Sequence, residues 1–142
     1  MKANELMLFD IVRRVRDKRI ITVTGLEYSE TISGIAPDDV YYGDQEDYHE
    51  SELEPIPLTP EILEKNGFKD TDIVVAGTRK FHWRSEDERT EIFIWFDDTM
   101  PMEIVKNVYY EDEVSYTLPF PRSVNMLQHA LRICGIDKEI VI

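Results

Sequence analysis

The chain holds little of what catalytic and membrane-bound proteins usually depend on. Cys134 is its only cysteine, so no internal disulfide can form and a reducing compartment is favoured. The six glycines are scattered singly, which excludes a glycine-rich loop that would cradle phosphate. No apolar run approaches the roughly 20 residues that a membrane helix needs, and no secretory signal is visible. We therefore expect a cytoplasmic protein with no membrane partner.

Lysine and arginine are absent from a long stretch of the first half. Between residues 20 and 64 there are twelve acidic residues and no Lys or Arg, whereas residues 1–19 hold six basic groups. The net charge of the whole chain is −13. Because affinity for nucleic acid depends on clustered cations that neutralise phosphates, direct nucleic-acid binding is disfavoured. A protein partner, in particular a basic one, is favoured.

The residues that usually carry chemistry do not form a pattern. The three histidines, His49, His82 and His129, are far apart, and none belongs to a metal-ligand motif. No serine lies in a nucleophile motif. The sequence thus predicts no cofactor, no metal and no catalytic residue. One enzyme alternative stays open, a site assembled from distant residues around His82, Trp83 and Asp97.

Short strands dominate the first 57 residues. Residues 6–15 and 20–23 are apolar, β-branched runs around a polar break, which predicts a hairpin. Further strands are predicted at residues 32–35 and at Val40–Tyr42. Several short strands at close spacing are typical of a small curled antiparallel sheet or an SH3-like barrel. We expect residues 1–57 to form this β-rich unit.

Residues 58–142 begin with a short helix whose two ends are specified locally. Thr59 can accept hydrogen bonds as the N-cap, Pro60 suits the first helical position, and Gly67 can take the left-handed conformation that ends the helix. No later segment before residue 119 is long enough for a crossover helix, so the strands that follow should form an antiparallel meander. These strands are predicted at residues 73–76, 81–83, 91–96, 104–105 with 108–110, and 114–118.

A second helix is predicted from Ser123 to Cys134. Its apolar residues, Cys134 included, fall on one stripe, so the helix should cover the sheet and Cys134 should be a core residue. His129 lies opposite this stripe, which predicts that it faces solvent or the rim of the sheet. Residues 140–142 are predicted to be a terminal strand or an apolar anchor. The whole chain is an α+β protein, in which residues 58–142 are a second unit or continue the first.

The candidate site is the acidic segment around residues 38–54. Rings and carboxylates lie side by side there, and tyrosine is enriched at binding surfaces because it joins apolar area to a polar tip. The ligand order of a calcium loop is absent, and a solvated acidic loop is the competing interpretation. The predicted partner-binding residues are Tyr41, Tyr42, Asp44, Glu46, Asp47, Tyr48, Glu50 and Glu52. Tyr109, Tyr110 and Tyr116 are of interest for the same reason. For all of these tyrosines, the favoured competing interpretation is a strand residue whose ring lies half in the core.

Two segments resemble a known group of proteins. They are EPIPLTPEILEKNGF at residues 54–68 and LQHALRICGI at residues 127–136. Together with the opening KANEL, they resemble small uncharacterised bacterial proteins that are often encoded in prophage and mobile-element regions. The resemblance implies a small-barrel N-terminal portion and this genomic setting. It implies no activity, cofactor or site residue.

Three functions are compatible with the sequence. The first is a non-enzymatic protein-interaction module, a β-rich scaffold that holds a partner with tyrosines and acidic loops. The second is an acidic mimic of nucleic acid, in which carboxylates stand in for phosphates and inhibit a DNA-binding protein. The third is the enzyme alternative described above. A homodimer is also compatible with the sequence, because residues 140–142 could pair with a neighbouring chain.

Overall fold

The computed structural model describes residues 6–7, 10–26, 31–35, 46–97 and 99–142. The protein is α+β, as predicted, and it divides into two compact units. The first unit comprises residues 1–57 and 123–129, and the second comprises residues 58–122 and 130–142. Within the described ranges, no helix is long and apolar enough to cross a membrane.

The first unit contains a five-stranded antiparallel sheet. Its strands are β1 (Ile11–Arg14), β2 (Ile20–Leu26), β3 (Thr31–Ile35), β4 (Glu46–His49) and β5 (Leu53–Glu54), in the spatial order β4-β3-β2-β1-β5. The predicted hairpin is confirmed, since Val12 lies opposite Ile21. The predicted strand at residues 40–42 lies outside the described residues.

The first sheet must be strongly curled. Its two outer strands, β4 and β5, are joined by a single 3₁₀ turn at Glu50–Glu52. Five strands in a flat sheet place the outer two about 19 Å apart, whereas four residues of chain reach at most about 14 Å. The curled sheet of the prediction is therefore confirmed. No pairing of β4 with β5 closes it into a barrel in the part of the chain that the structure describes.

The core of the first unit is formed by apolar side chains from the inner face of the curl. Alternation along β1 and β2 turns Val12, Ile21 and Val23 inward, and these three side chains are fully buried. The buried cluster consists of Leu6, Val12, Ile21, Val23, Ile32, Tyr48 and Leu53.

The short helix α1 (Pro60–Lys65) is capped as predicted. The Ile62 N–H donates to the Thr59 hydroxyl at 3.3 Å, and Gly67 has a φ of +81°. The Phe68 N–H donates back to the Leu63 carbonyl at 3.0 Å, so the chain folds over the end of the helix. Both of those side chains are buried, which attaches the helix to the core of the second unit.

The second unit is built on a regular antiparallel meander. Its strands are β6 (Lys69–Val75), β7 (Thr78–Arg84), β8 (Thr90–Trp95), β9 (Met102–Lys106) and β10 (Val114–Leu118), in the spatial order β10-β9-β8-β7-β6. One face is the core face, with Phe81, Ile92, Ile94 and Ile104 fully buried. The predicted meander is confirmed.

One strand of the meander is shorter than predicted. Residues 108–110 were expected to be extended, but β9 ends at Lys106 and a loop follows. Asn107 and Tyr109 have φ values of +55° and +67°, which break the extended backbone at two of these positions. The prediction of a strand at 108–110 is therefore wrong.

The helix α2 (Val124–Ile133) is the last helix of the described chain. The Met126 N–H donates to the Ser123 hydroxyl at 3.4 Å, and Gly135 at φ +68° ends the helix, as predicted. Cys134 is 3% exposed, and burial raises the pKa of its thiol. It is the core residue that the apolar stripe predicts.

The C-terminal residues form an anchor and not a strand. Ile140 is buried, and the side-chain amide of Asn66 pairs with the backbone of Val141 in both directions at 2.8 Å. These contacts lie within the second unit. The apolar anchor is thus the alternative that the structure supports.

Candidate interaction surface

The loop between β9 and β10, residues 107–113, is held by its own polar side chains. The Asn107 amide donates to the Asp112 carboxylate at 3.1 Å, and the Tyr109 N–H donates to the Glu113 carboxylate at 2.9 Å. Val108 is 7% exposed, and its N–H donates to the Arg89 carbonyl at 3.0 Å. The loop is therefore fixed by two internal hydrogen bonds and is anchored near its start.

This braced loop presents a tyrosine ring to solvent. Tyr109 is 92% exposed and has a φ of +67°, a conformation that costs a non-glycine residue about 1–2 kcal/mol. The neighbouring Tyr110 is half exposed and lies under the Arg89 guanidinium, 4.5 Å from its ring centre. The Tyr109 ring is thus exposed to solvent and contributes no buried area to the stability of the fold.

Strand β10 continues the apolar surface from this loop. Val114 and Tyr116 share the face of the sheet that carries Lys106 and Ile104, their partners on β9. Val114 is 43% exposed and Tyr116 is 37% exposed, because β10 is the last strand of the sheet. We call strand β10 and the loop 107–113 together the β10 surface.

The β10 surface has a negative rim. Glu111, Asp112 and Glu113 are exposed at the start of β10. Asp112 and Glu113 brace the loop, and Arg89 is the cation that the loop contacts. The rim therefore favours a positively charged ligand.

The surface predicted from the acidic segment is only partly described. Tyr41, Tyr42 and Asp44 lie outside the described residues, and Glu46 lies in β4. Asp47 and Glu52 are exposed, and Glu50 is half-buried in the 3₁₀ turn. Tyr48 is only 4% exposed because its ring belongs to the core of the first unit. Its prediction as a partner-binding ring is corrected accordingly.

The described part of this acidic segment is strand and 3₁₀ turn, not a solvated loop, and it meets basic side chains. Asp47 and Glu52 line an open cavity of about 430 Å³ with Arg14 and Arg16. The Glu54 carboxylate accepts from Arg13 at 2.7 Å and from Lys18 at 2.8 Å, and these hydrogen bonds lower its pKa. Residues 46–54 therefore present mixed charge and not an even row of open carboxylates.

A contact between a buried carboxylate and an imidazole in the first unit was missed from the sequence. Asp10 is fully buried, and its carboxylate lies 2.7 Å from Nε2 of His129 and accepts the Met7 N–H at 2.9 Å. The alternative in which His129 points to solvent is therefore wrong, because the ring contacts a buried carboxylate. Asp10, the acidic residue inside the apolar run 6–15, is the one signal in the sequence that could have indicated a buried partner.

The residues of the enzyme alternative do not converge. His82 and Trp83 are consecutive on β7 and point to opposite faces of the sheet. The His82 ring stacks on Phe93 at 4.8 Å, and burial lowers its pKa. The Asp97 carboxylate accepts from the backbone and hydroxyl of Thr99, which lowers its pKa. Each group is thus engaged in its own local contacts.

Neither metal geometry nor similarity to known proteins adds an assignment. Among the described residues, no three His, Cys, Asp or Glu side chains are grouped so that they could hold a metal ion. No protein family, curated protein or solved structure matches this chain.

Proposed function

We propose that the protein is a non-enzymatic interaction module that binds a partner protein through the β10 surface. The observation that carries the proposal is Tyr109, 92% exposed on a braced loop in a backbone conformation that disfavours large side chains. Backbone strain of this kind persists where the surroundings fix it, and it is concentrated at functional sites.

The rigidity of the loop supports binding. Ordering an interface side chain on association costs about 0.5–1.5 kcal/mol, and a tyrosine has only two rotatable side-chain angles. Because the hydrogen bonds of Asn107 and Tyr109 already fix the backbone, little of this cost remains for the partner to offset.

The surrounding chemistry supports a basic partner. Tyr110, Val114 and Tyr116 supply exposed aromatic and branched area beside Tyr109, which is the composition of an interface centre. The carboxylates at residues 111–113 supply a negative rim that attracts cations during encounter. The partner we propose is therefore a protein segment that carries lysine or arginine next to apolar residues.

The test is a selection of random 12-residue peptides on the immobilised full chain, with two variants as comparison baits. Tyr109→Gly removes the ring and relieves the positive φ. Ala76→Gly is the matched control, because Ala76 has a φ of +51° in the β6–β7 turn at the opposite edge of the sheet.

We expect the enriched peptides to be basic and to bind the wild-type chain and Ala76→Gly equally. Tyr109→Gly should bind them about 10- to 30-fold more weakly, since an aromatic hot spot contributes about 2 kcal/mol. Its stability should stay unchanged or rise by up to about 1 kcal/mol. Equal binding to all three baits, or no enrichment, would contradict the proposal.

A further inference from the structure

The two edge strands of the second sheet, β6 and β10, differ in how well they are protected against pairing with a further strand. On edge strand β6 the pairing register with β7 breaks between Asp70 and Val74, and Asp72 has a φ of +58°. The N–H groups of Asp72 and Ile73 donate to the side chains of Asp70 and Thr71. Bulges, charges and satisfied N–H groups of this kind prevent an edge from pairing with another strand.

The opposite edge, β10, has none of these protections within the described chain. Its five residues read V-S-Y-T-L, without a charge or a proline, and they pair with β9 in unbroken register. Valine, tyrosine and threonine are strong strand formers. All but Leu118 are exposed. A regular, uncharged and exposed edge is a template for a further strand.

The backbone of β10 has hydrogen-bonding capacity to spare. In an antiparallel ladder every second residue of an edge strand turns its N–H and C=O away from the sheet. Among the described contacts, none of the residues 114–118 makes a hydrogen bond beyond its ladder to β9. Two or three residues of β10 therefore present open donors and acceptors side by side.

We propose that the partner binds as a sixth strand, an extended and basic segment that adds antiparallel to β10. This inference rests on the proposed function and specifies its binding mode. The antiparallel direction continues the pattern of the whole second sheet. It brings the C-terminal end of the added strand beside residues 111–113, so the lysines or arginines lie in the C-terminal half of the segment. Alternate β-branched or aromatic residues of the segment then face Val114 and Tyr116.

The occupant is a foreign segment and not a second copy of this chain. Two copies, each with a net charge of −13, repel each other as they approach, and the end of a second β10 strand carries no cation within residues 114–118 to place beside the carboxylates of residues 111–113. A basic segment is attracted instead and neutralises these carboxylates. Sedimentation equilibrium of the full chain checks this point, and a dimer that the selected peptide dissociates would overturn the assignment of the occupant.

The decisive experiment scans the tightest selected peptide with single backbone N-methyl groups. In strand addition, every second peptide residue donates its N–H to β10, and a methyl group on that nitrogen removes the hydrogen bond. The affinity of the peptide should therefore fall about 10-fold or more at every second position and change little at the positions between. Amide hydrogen exchange should slow at alternate residues within 114–118 on adding the peptide, while residues 69–75 of β6 serve as the unaffected internal control.

Charge complementarity is tested separately with Glu111→Lys. Glu111 braces nothing in the loop, so its replacement leaves the hydrogen bonds of Asp112 and Glu113 in place. We expect several-fold weaker binding of the basic peptide at about 0.15 M salt and a smaller difference at about 1 M salt.

The outcomes separate the two levels of the proposal. Binding that depends on Tyr109 but shows a uniform N-methyl profile would overturn strand addition and leave the interaction module standing. An alternating profile with no response to Glu111→Lys would overturn the basic chemistry of the segment. Loss of any dependence on Tyr109 would remove the proposed function itself.

Discussion

Replacing His129 with alanine tests how far the first unit depends on the imidazole beside its buried carboxylate. Asp10 is fully buried, and its carboxylate contacts His129 Nε2 at 2.7 Å and the Met7 N–H at 2.9 Å. Without the imidazole, the carboxylate loses a charge-assisted partner. Breaking a buried pair by removing one member costs about 3–5 kcal/mol. His129 itself retains 22% exposure, so water can enter the space and lower the cost to about 2–3 kcal/mol.

The assay must report on the first unit. Both tryptophans, Trp83 and Trp95, belong to the second unit, so their fluorescence follows that unit. Amide exchange of the buried β2 residues Ile21 and Val23, measured as a function of urea concentration, reports on the first. Met126→Ala is the control, since this residue precedes His129 on the same helix and is 39% exposed.

The double variant decides whether the two residues act together. Asp10→Asn keeps the shape of the side chain but removes its charge. Each variant lowers the free energy of unfolding by some amount. If the pair is coupled, the sum of the losses in Asp10→Asn and His129→Ala should exceed the loss in the double variant by about 1–2 kcal/mol. Additive losses within about 0.5 kcal/mol, or a His129→Ala loss no larger than that of Met126→Ala, would refute the reasoning.

Two further predictions concern the second unit. Because Cys134 is 3% exposed and burial raises the pKa of its thiol, Ellman's reagent should not react with the native protein at pH 8 and should react fully in urea; rapid native reaction would contradict its burial. The Arg79 guanidinium lowers the pKa of Asp70, so the stabilisation from Asp70 is present above its unfolded pKa and is lost as the pH falls through the folded value. In Arg79→Met the Asp70 pKa measured by NMR titration should rise toward about 3.9, and an unchanged titration would show that Arg79 is not the cause.

The elements that could be predicted from sequence are those whose signals are local. Thr59, Pro60 and Gly67 specify both ends of α1 within nine residues, and the structure places each in its expected role. The apolar stripe that predicted α2 likewise depends only on spacing along one element. The strands of the second unit were found because each is a compact run of strand-forming residues.

The features that sequence reasoning missed depend on residues distant in the chain or on positive φ angles. His129 lies opposite the apolar stripe of α2, yet a carboxylate 119 residues earlier in the chain gives it a partner. The aromatic pair Tyr109–Tyr110 is typical of a strand and was predicted as one. Asn107 before the pair and the acidic run 111–113 after it are loop-forming residues, and they indicate the loop that the structure has. Tyr48 shows the opposite error, because it lies in an acidic stretch of sequence and yet its ring belongs to the buried core of the first unit. Residue type alone does not tell an inward ring from an outward one.

The types of residue that adopt a positive φ support the proposed binding role of the β10 surface. Of the six described non-glycine residues with positive φ, five are small or polar, and Tyr109 is the one aromatic residue. A glycine or asparagine would serve the turn at lower conformational cost. The ring gives the folded chain nothing in return, since it is 92% exposed. The proposed interaction would give this exposed ring on a strained backbone a role, and the unprotected edge that begins five residues later is where we propose that the contact extends.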